Sequence, residues 1–324
     1  MKNAKISRRS FLLGLAACSA AGILTACKGD DTPASSASTS PEAPASSVSE
    51  LEPIGLFSPE EFPKLDGSTA CIPLMAQMMA DTTGLDLEVA QSSISVSTTA
   101  YAWENFGLYP DEDYTARMLV VYEAPDYVKE ELQEAGAQLE QKPIGRDALV
   151  FIVNENNPVK SLTRQQIKDI YAGKITNWKE VGGADSPIVA FQRGEDSGSQ
   201  TLFQKLLIQG GELMEAPTEL APTEMGGLVD RIAEFNHSAN AIGFSVYYYI
   251  DQMYSKPGLR LLAVDGVLPT NESIADQSYP LCNAFYAAVR QDSAEGTPER
   301  KVYDWLSTDA GRACIVKSGY VAAT

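Results

Sequence analysis

The strongest constraint on the fold is an apolar run of strand length followed by a helix with capping signals at both ends. Residues 148–153 read Ala-Leu-Val-Phe-Ile-Val, the pattern of a strand covered on both faces. Thr163 and Gln166 then form a capping-box pattern, and Gly173 provides a helix end. A strand buried on both faces needs helices on each side of its sheet, so this segment predicts an α/β architecture.

The same alternation of strands and helices continues along the chain. Strand patterns cover residues 188–191, 241–245, 261–264 and 285–289, and helix patterns start near Ile72, after Ser199 and over 298–307. Strands that alternate with helices predict mainly parallel sheets. A body of roughly 270 residues after the N-terminal region favours two lobes over one small core. The tyrosine run at 247–249 favours packing over an aromatic ligand platform.

The chain begins with a predicted export signal over residues 1–27. A basic head with Arg8 and Arg9 precedes the uncharged apolar stretch 11–26, which is short for a membrane span and typical of a signal peptide. The paired arginines resemble a twin-arginine signal, but they also occur in Sec signals, so both routes stay open. Leu24-Thr25-Ala26-Cys27 resembles a lipobox and predicts lipidation of Cys27. The alternative is an ordinary secretory peptide.

The composition of residues 28–52 predicts a disordered tether, because nearly every residue from 32 to 49 is Ser, Thr, Ala or Pro.

The net charge of the whole chain is −18. This acidity argues against nucleic acid as a partner and against polybasic adhesion to a membrane. It is compatible with anion binding, because a buried site responds to its own donors more than to distant, screened surface charge.

Cysteine and histidine usage limits the chemistry. Beyond the export signal, Cys71, Cys282 and Cys314 allow either one disulfide with a leftover thiol or three buried thiols. The single histidine, His237, argues against a histidine-cluster metal site, and we expect no metal and no cofactor. The sequence contains no G-x-S-x-G motif, so a secreted hydrolase is only a remote alternative.

Arg193 and the helix start after it predict a site for a small oxyanion. Arginine offers a planar fork of charged donors, and a helix N-terminus offers unpaired backbone N–H groups. That helix start consists of Ser197, Gly198 and Ser199. The alternatives are a surface arginine paired with a neighbouring carboxylate and a simple helix cap.

The stretch 147–203 resembles the phosphate-binding solute receptors of ABC transporters, the periplasmic PstS-like family. The matching motifs are Asn157-Pro158-Val159, Leu162-Thr163, the run from Ile170 to Trp178, Val181-Gly182-Gly183, and Arg193 followed by Ser197-Gly198-Ser199. The resemblance extends more weakly over residues 60–324. It implies a two-lobed periplasmic-binding-protein fold of type II with a ligand cleft at the hinge. The implied lobes are 53–143 with 256–324, and 144–255.

The resemblance also implies a function that involves binding and no bond breaking. We expect a monomer, held by the lipid on Cys27 at the extracytoplasmic face of the bacterial membrane. It would capture inorganic phosphate and deliver it to an ABC permease. The ligand-binding residues that the resemblance implies are Ser68, Thr69, Thr99, Asp126, Arg193, Ser197, Gly198 and Ser199. At 68–69 the alternative is a helix cap without a ligand.

Asp126 has the role of selecting among oxyanions in this hypothesis. A carboxylate accepts a hydrogen bond from protonated phosphate and repels sulfate, which carries no proton near neutral pH. The family has a Ser-Asp pair at this strand end, and the segment 122–126 of this chain lacks the serine. The family's Ser-Gly-Thr is also Ser-Gly-Ser here. These departures favour, as the alternative, the same fold binding another oxyanion or a small organic acid, or acting as a sensor.

Overall fold

The computed structural model describes residues 55–215, 225–234 and 240–323. The predicted export signal, Cys27, the whole tether and His237 lie outside the described residues. None of the helices in these ranges is long and apolar enough to cross a membrane.

Strands and helices alternate through most of the described chain. The strands are β1 (Leu65–Gly67), β2 (Met118–Val121), β3 (Leu139–Asn154), β4 (Ser161–Leu162), β5 (Val189–Ala190), β6 (Ala241–Val246), β7 (Leu259–Leu261), β8 (Ala263–Val264), β9 (Cys282–Arg290) and β10 (Val321–Ala322). The α-helices are α1 (Ile72–Thr83), α2 (Leu87–Ser93), α3 (Thr99–Leu108), α4 (Asp126–Glu134), α5 (Arg164–Tyr171), α6 (Gly198–Phe203), α7 (Met225–Glu234), α8 (Asn271–Ala275), α9 (Pro298–Trp305) and α10 (Asp309–Lys317). A π-helical segment over 204–208 continues α6.

The main sheet has the strand order β1-β2-β9-β3-β6-β5, with β7 and β10 also paired to β3. This arrangement confirms the α/β class. The expectation of mainly parallel sheets holds for β1 with β2, β5 with β6, and β4 with β8. It is corrected for β2 with β9 and for every pair that β3 makes, which are antiparallel. The reason is that an apolar run looks the same whichever way its neighbours point.

The long strand β3 changes its neighbours along its length. From Leu139 to Ala148 it pairs with β9, and from Leu149 to Val153 it pairs with β6. The apolar run 148–153 is fully buried there, as the sequence predicted. One continuous strand therefore connects the elements around β2 and β9 with those around β5 and β6.

An aromatic cluster fixes α6 against β6 and α5. The rings of Phe203 and Phe244 stack with centroids 4.3 Å apart, and Tyr171 meets Phe203 edge-on at 4.8 Å. All three rings are buried. Rigid aromatic packing of this kind fixes the helix axis, so it also fixes where the N-terminus of α6 points.

Several local predictions are confirmed. The capping box of Thr163 and Gln166 starts α5, and Gly173 has a left-handed φ of +72° just after its end. All three tyrosines at 247–249 are buried, and Tyr248 stacks on Tyr320, whereas Tyr249 also lines the cleft described below. The cysteine alternatives resolve into thiols among the described residues: Cys71, Cys282 and Cys314 are all free, with the first and last buried.

Candidate functional site

The first wall of the site is the Ser68 turn, which comprises residues 67–69 at the end of β1. A side chain at Gly67 would place its Cβ 1.8 Å from the carbonyl oxygen of Val120, so only glycine allows β1 to approach β2 this closely. Ser68 is 2% exposed and precedes a short 3-10 helix, Thr69–Cys71, that leads into α1.

The second wall is the Thr99 turn, which comprises residues 97–99 and starts α3. The Oγ atoms of Ser68 and Thr99 are 2.7 Å apart and hydrogen-bonded. The backbone N–H of Tyr122 donates to Ser68 Oγ at 3.0 Å. Thr98 is the N-cap of α3, but its side chain makes no capping bond, and its Oγ1 is buried without a hydrogen-bond partner. The two turns therefore place hydroxyl groups and helix-start N–H groups side by side.

Arg193 and the N-terminus of α6 form the opposite wall. Arg193 is 7% exposed, and its backbone N–H donates to Gln200 Oε1 at 3.2 Å, which ties the arginine to the helix that follows. Ser197 is the N-cap of α6 but makes no side-chain capping bond; its Oγ lies 3.0 Å from that of Ser199 instead. The first-turn N–H groups of α6 are thus left for water or a ligand, at the positive end of the helix dipole.

The two walls meet at Gly198. A Cβ built on this residue would lie 2.4 Å from Thr99 Oγ1. Glycine is therefore required for the helix start to approach the Thr99 turn this closely. This contact brings the strongest sequence motif of the chain to the turns at 67–69 and 97–99.

Together these segments enclose a cleft of about 750 Å³. Of the residues predicted for the site, it is lined by Ser68, Thr69, Thr99, Arg193, Ser197 and Gly198. Ser199 lies just behind this lining, is fully buried, and contacts Ser197. The structure thus brings seven of the eight predicted residues into one region.

The expected position of Asp126 inside the cleft is corrected by the structure. Its side chain is 92% exposed and pairs with Lys129 at 2.9 Å. The reason is that Asp126 is the first residue of α4, where a carboxylate offsets the helix dipole and meets a lysine one turn later. Asp126 lines a neighbouring hollow on the other side of Arg193 instead.

Two other carboxylates line the cleft. Asp196 accepts a hydrogen bond from the Tyr127 hydroxyl at 2.8 Å. Asp230 accepts one from the Tyr254 hydroxyl at 2.9 Å and pairs with Lys256 at 2.8 Å. The pairing with Lys256 lowers the pKa of Asp230.

An ion pair between Glu123 and Lys205 joins the loop after β2 to the π-helical segment that continues α6. Glu123 accepts a hydrogen bond from Lys129 at 2.7 Å and also pairs with Lys205. Burial opposes ionisation of Glu123, but these two lysines outweigh it and lower its pKa. Lys205 lines the neighbouring hollow, so this ion pair and the Tyr127–Asp196 bond both join the segment after β2 to the region of α6 beside the cleft.

A buried hydrogen-bond network behind the cleft was not predicted from the sequence. Tyr122 lines the cleft, and its hydroxyl donates to Asp147 at 2.5 Å. Asp147 also accepts from the backbone N–H groups of Ala148 and Tyr248, at 2.7 and 3.1 Å. Burial raises the pKa of Asp147 to about 6, against the lowering effect of these donors. Burial and the neighbouring Asp147 raise the pKa of Tyr122.

Asp66 was also missed, although it sits beside a predicted turn. Its carboxylate contacts Gly67 and Ser97, a residue that is distant in sequence. A local pattern does not reveal this contact.

Within residues 55–215, 225–234 and 240–323, no three His, Cys, Asp or Glu side chains are grouped so that they could hold a metal ion.

A two-walled cleft lined by arginine, hydroxyls and helix starts, on an α/β body, defines a solute-binding protein. The chain belongs to the PBP superfamily: the family model for the PBP superfamily domain matches residues 115–307.

Individual relatives agree with this family. The Phosphate-binding protein PstS of Bacillus subtilis is 30% identical over 173 residues, a match that covers 53% of this chain and only 54% of that relative. The Phosphate-binding protein PstS of Borreliella burgdorferi is 23% identical over 273 residues, covering 81% of this chain and 90% of the relative.

Among solved structures, a protein from Clostridium perfringens with bound phosphate has a TM-score of 0.60 and 26% identity. It covers 80% of this chain, which in turn spans 98% of it. An ABC-type phosphate transport receptor from Vibrio cholerae has the same fold, with a TM-score of 0.57, 24% identity, and coverage of 79% and 98%.

Proposed function

We propose that this chain is an extracytoplasmic solute-binding protein that captures inorganic phosphate and delivers it to an ABC permease. The observation that carries the proposal is the placement of Arg193 and the α6 N-terminus directly opposite the Ser68 and Thr99 turns. The relatives support it, because those from Bacillus subtilis and Borreliella burgdorferi are named as phosphate-binding proteins.

The donors of the cleft suit a small tetrahedral anion. Burying an ionised ligand is costly unless donors surround it. A hydrogen bond to a charged group contributes roughly 1.5–3 kcal/mol, and micromolar affinity needs only about 8 kcal/mol. The Arg193 guanidinium, the first N–H groups of α6 and the hydroxyls of the two turns are enough for that affinity. Binding needs no bond to be broken, so we propose no enzymatic step.

We propose that ligand capture closes two lobes, 53–143 with 256–324, and 144–255. The change of partners along β3 supports the boundary near residue 144, because it falls between Ala148 and Leu149. The pairing of β7 with the second half of β3 and of β8 with β4 favours adding residues 259–264 to the second lobe. The contacts of Thr99 with Gly198 and of Glu123 with Lys205 would then form between lobes on closure. We propose that the protein acts as a monomer.

Lipid anchoring is a separate part of the proposal. Export by the twin-arginine or the Sec route would be followed by lipidation of Cys27, and residues 28–52 would hold the body near the membrane. Incorporation of a labelled fatty acid into the wild-type chain and its loss in Cys27→Ser test this part. Equal labelling of both chains would contradict it.

Titration calorimetry of the purified full chain with phosphate and with sulfate tests the ligand. We expect saturable heat with phosphate and loss of phosphate binding in Arg193→Ala. Arg312→Ala is the matched control, because Arg312 is an exposed arginine that pairs with Asp309 within α10. Binding of sulfate alone would contradict the phosphate assignment.

One observation favours a second candidate, a receptor for another oxyanion or a small organic acid. Asp126 does not reach the cleft, so the carboxylate that was expected to distinguish phosphate from sulfate is missing from that position. Native mass spectrometry of the purified chain would distinguish the candidates by the mass of the ligand retained.

A further inference from the structure

We infer that Asp66 is a positioning residue that holds the Ser68 turn and the Thr99 turn at a fixed separation and so preforms one wall of the anion site. The inference rests on the proposed function. Asp66 lies in β1 directly before the Ser68 turn, and it is not among the residues that line the cleft.

Three short hydrogen bonds carry the inference. Asp66 Oδ1 accepts from the backbone N–H of Gly67 and from that of Ser97, each at 2.7 Å. Asp66 Oδ2 accepts from Ser97 Oγ, also at 2.7 Å. Gly67 begins the Ser68 turn and Ser97 begins the Thr99 turn, so one carboxylate connects the first residues of both.

The bond between the hydroxyls of Ser68 and Thr99 connects the same two turns a second time, nearer to the cleft. Two links at different depths fix the angle between the turns as well as their separation. Donors held in this way need no rearrangement when an anion arrives, and preorganisation of this kind increases affinity.

A direct role for Asp66 in binding conflicts with its contacts. Both of its oxygens are already occupied by donors, and its negative charge opposes an anion in the neighbouring cleft. A carboxylate at this position is therefore explained by the bonds that it makes to the protein. The negative charge of Asp66 should weaken anion binding, and its hydrogen bonds should strengthen it by holding the two turns in place. Substitutions that remove the charge and the hydrogen bonds separately distinguish these two effects.

Asp66→Ala and Asp66→Asn are the informative pair. Alanine removes all three bonds. Asparagine keeps an oxygen that accepts from Gly67 and Ser97 N–H, presents its amide to the Ser97 hydroxyl, and removes the charge. We expect alanine to weaken phosphate binding on the order of 10- to 100-fold, as happens when groups that orient the ligands of charged sites are removed. Asparagine should bind within about threefold of wild type, or more tightly.

Asp86→Ala is the matched control for stability. Asp86 caps α2 by accepting from the N–H groups of Glu88 and Val89, away from the cleft, so its loss should lower the melting temperature and leave the phosphate dissociation constant unchanged. Hydrogen exchange of the ligand-free chain gives a second readout. The Gly67 and Ser97 amides should exchange faster in Asp66→Ala and remain protected in Asp66→Asn.

The outcomes separate this inference from the proposed function. Failure of the wild-type chain to bind phosphate overturns both. If wild type binds, then wild-type affinity in Asp66→Ala, or equal weakening by alanine and asparagine, overturns the positioning role alone. Weakening by alanine, rescue by asparagine and the matching pattern of amide exchange support it.

Discussion

Replacing Gly198 by alanine should weaken phosphate binding while leaving the chain folded. The new Cβ would lie 2.4 Å from Thr99 Oγ1, about 1 Å shorter than an ordinary van der Waals contact. The strain is relieved either by rotation of Thr99, which breaks its 2.7 Å bond to Ser68, or by retreat of the α6 N-terminus. Each route removes donors from the ligand.

The expected size follows from the number of bonds lost. One hydrogen bond to a charged ligand is worth roughly 1.5–3 kcal/mol, so the dissociation constant should rise about 10- to 100-fold. Titration calorimetry with phosphate measures it, and a thermal melt checks folding. In a Thr99→Ala background the added cost of Gly198→Ala should shrink, because the nearest clashing atom is gone.

Gly194→Ala provides the matched control. It adds the same methyl group in the same loop, where no atom lies within 4 Å of the new Cβ. Because Gly194 also lines the cleft, we expect this variant to lose less affinity than Gly198→Ala. Wild-type affinity in Gly198→Ala, or equal losses in both variants, would refute the close approach of the two walls.

Three further predictions address the surroundings of the cleft. Burial raises the folded-state pKa of Asp147 to about 6, above its value in the unfolded chain. The wild type should therefore lose about 3 kcal/mol of unfolding free energy relative to Asp147→Asn as pH rises from about 4 to above 6. Denaturant titrations at several pH values measure this, and an equal pH dependence of the unfolding free energy in the two chains would contradict it. Glu123→Gln removes the ion pair with Lys205 and should speed phosphate dissociation on the order of two- to fivefold in stopped-flow measurements. The dissociation rate should also depend less on salt concentration than in the wild type. An unchanged rate would count against closure through this ion pair. Gly67→Ala drives its Cβ into the Val120 carbonyl and should lower the free energy of unfolding by at least roughly 1–3 kcal/mol; an unchanged denaturant midpoint would contradict the close packing of β1 on β2.

Local chemistry made part of the fold predictable from the sequence. The capping box of Thr163 and Gln166 and the glycine at 173 act within one helix, so the sequence contains the whole signal for α5. The apolar run at 148–153 likewise predicted a strand buried on both faces. The antiparallel partners of β3 were not predictable in this way, because strand direction depends on segments more than 80 residues away in the chain.

In the candidate site, too, the residues that are close in sequence were predictable and those with distant partners were not. Arg193 and the start of α6 are close in sequence, so a local motif, together with the resemblance, indicated an anion site. Asp126 was misplaced because the resemblance assigned it to a Ser-Asp pair at a strand end, whereas Pro125 and Asp126 start α4 and the carboxylate is exposed to solvent. Asp66 was overlooked because its partner Ser97 is 31 residues away.

The hydroxyl pair of Ser68 and Thr99 also sets a limit on proton supply. The two side chains own two hydroxyl protons, and one of them is used in the bond between their oxygens. Ser68 Oγ also accepts from the Tyr122 N–H, which adds no proton for a ligand. The pair therefore delivers one hydroxyl proton to a bound anion, from either side chain. Removing one hydroxyl frees the proton of the other, so a single substitution loses the link between the turns but keeps one hydroxyl donor, whereas only the double substitution removes the donor as well.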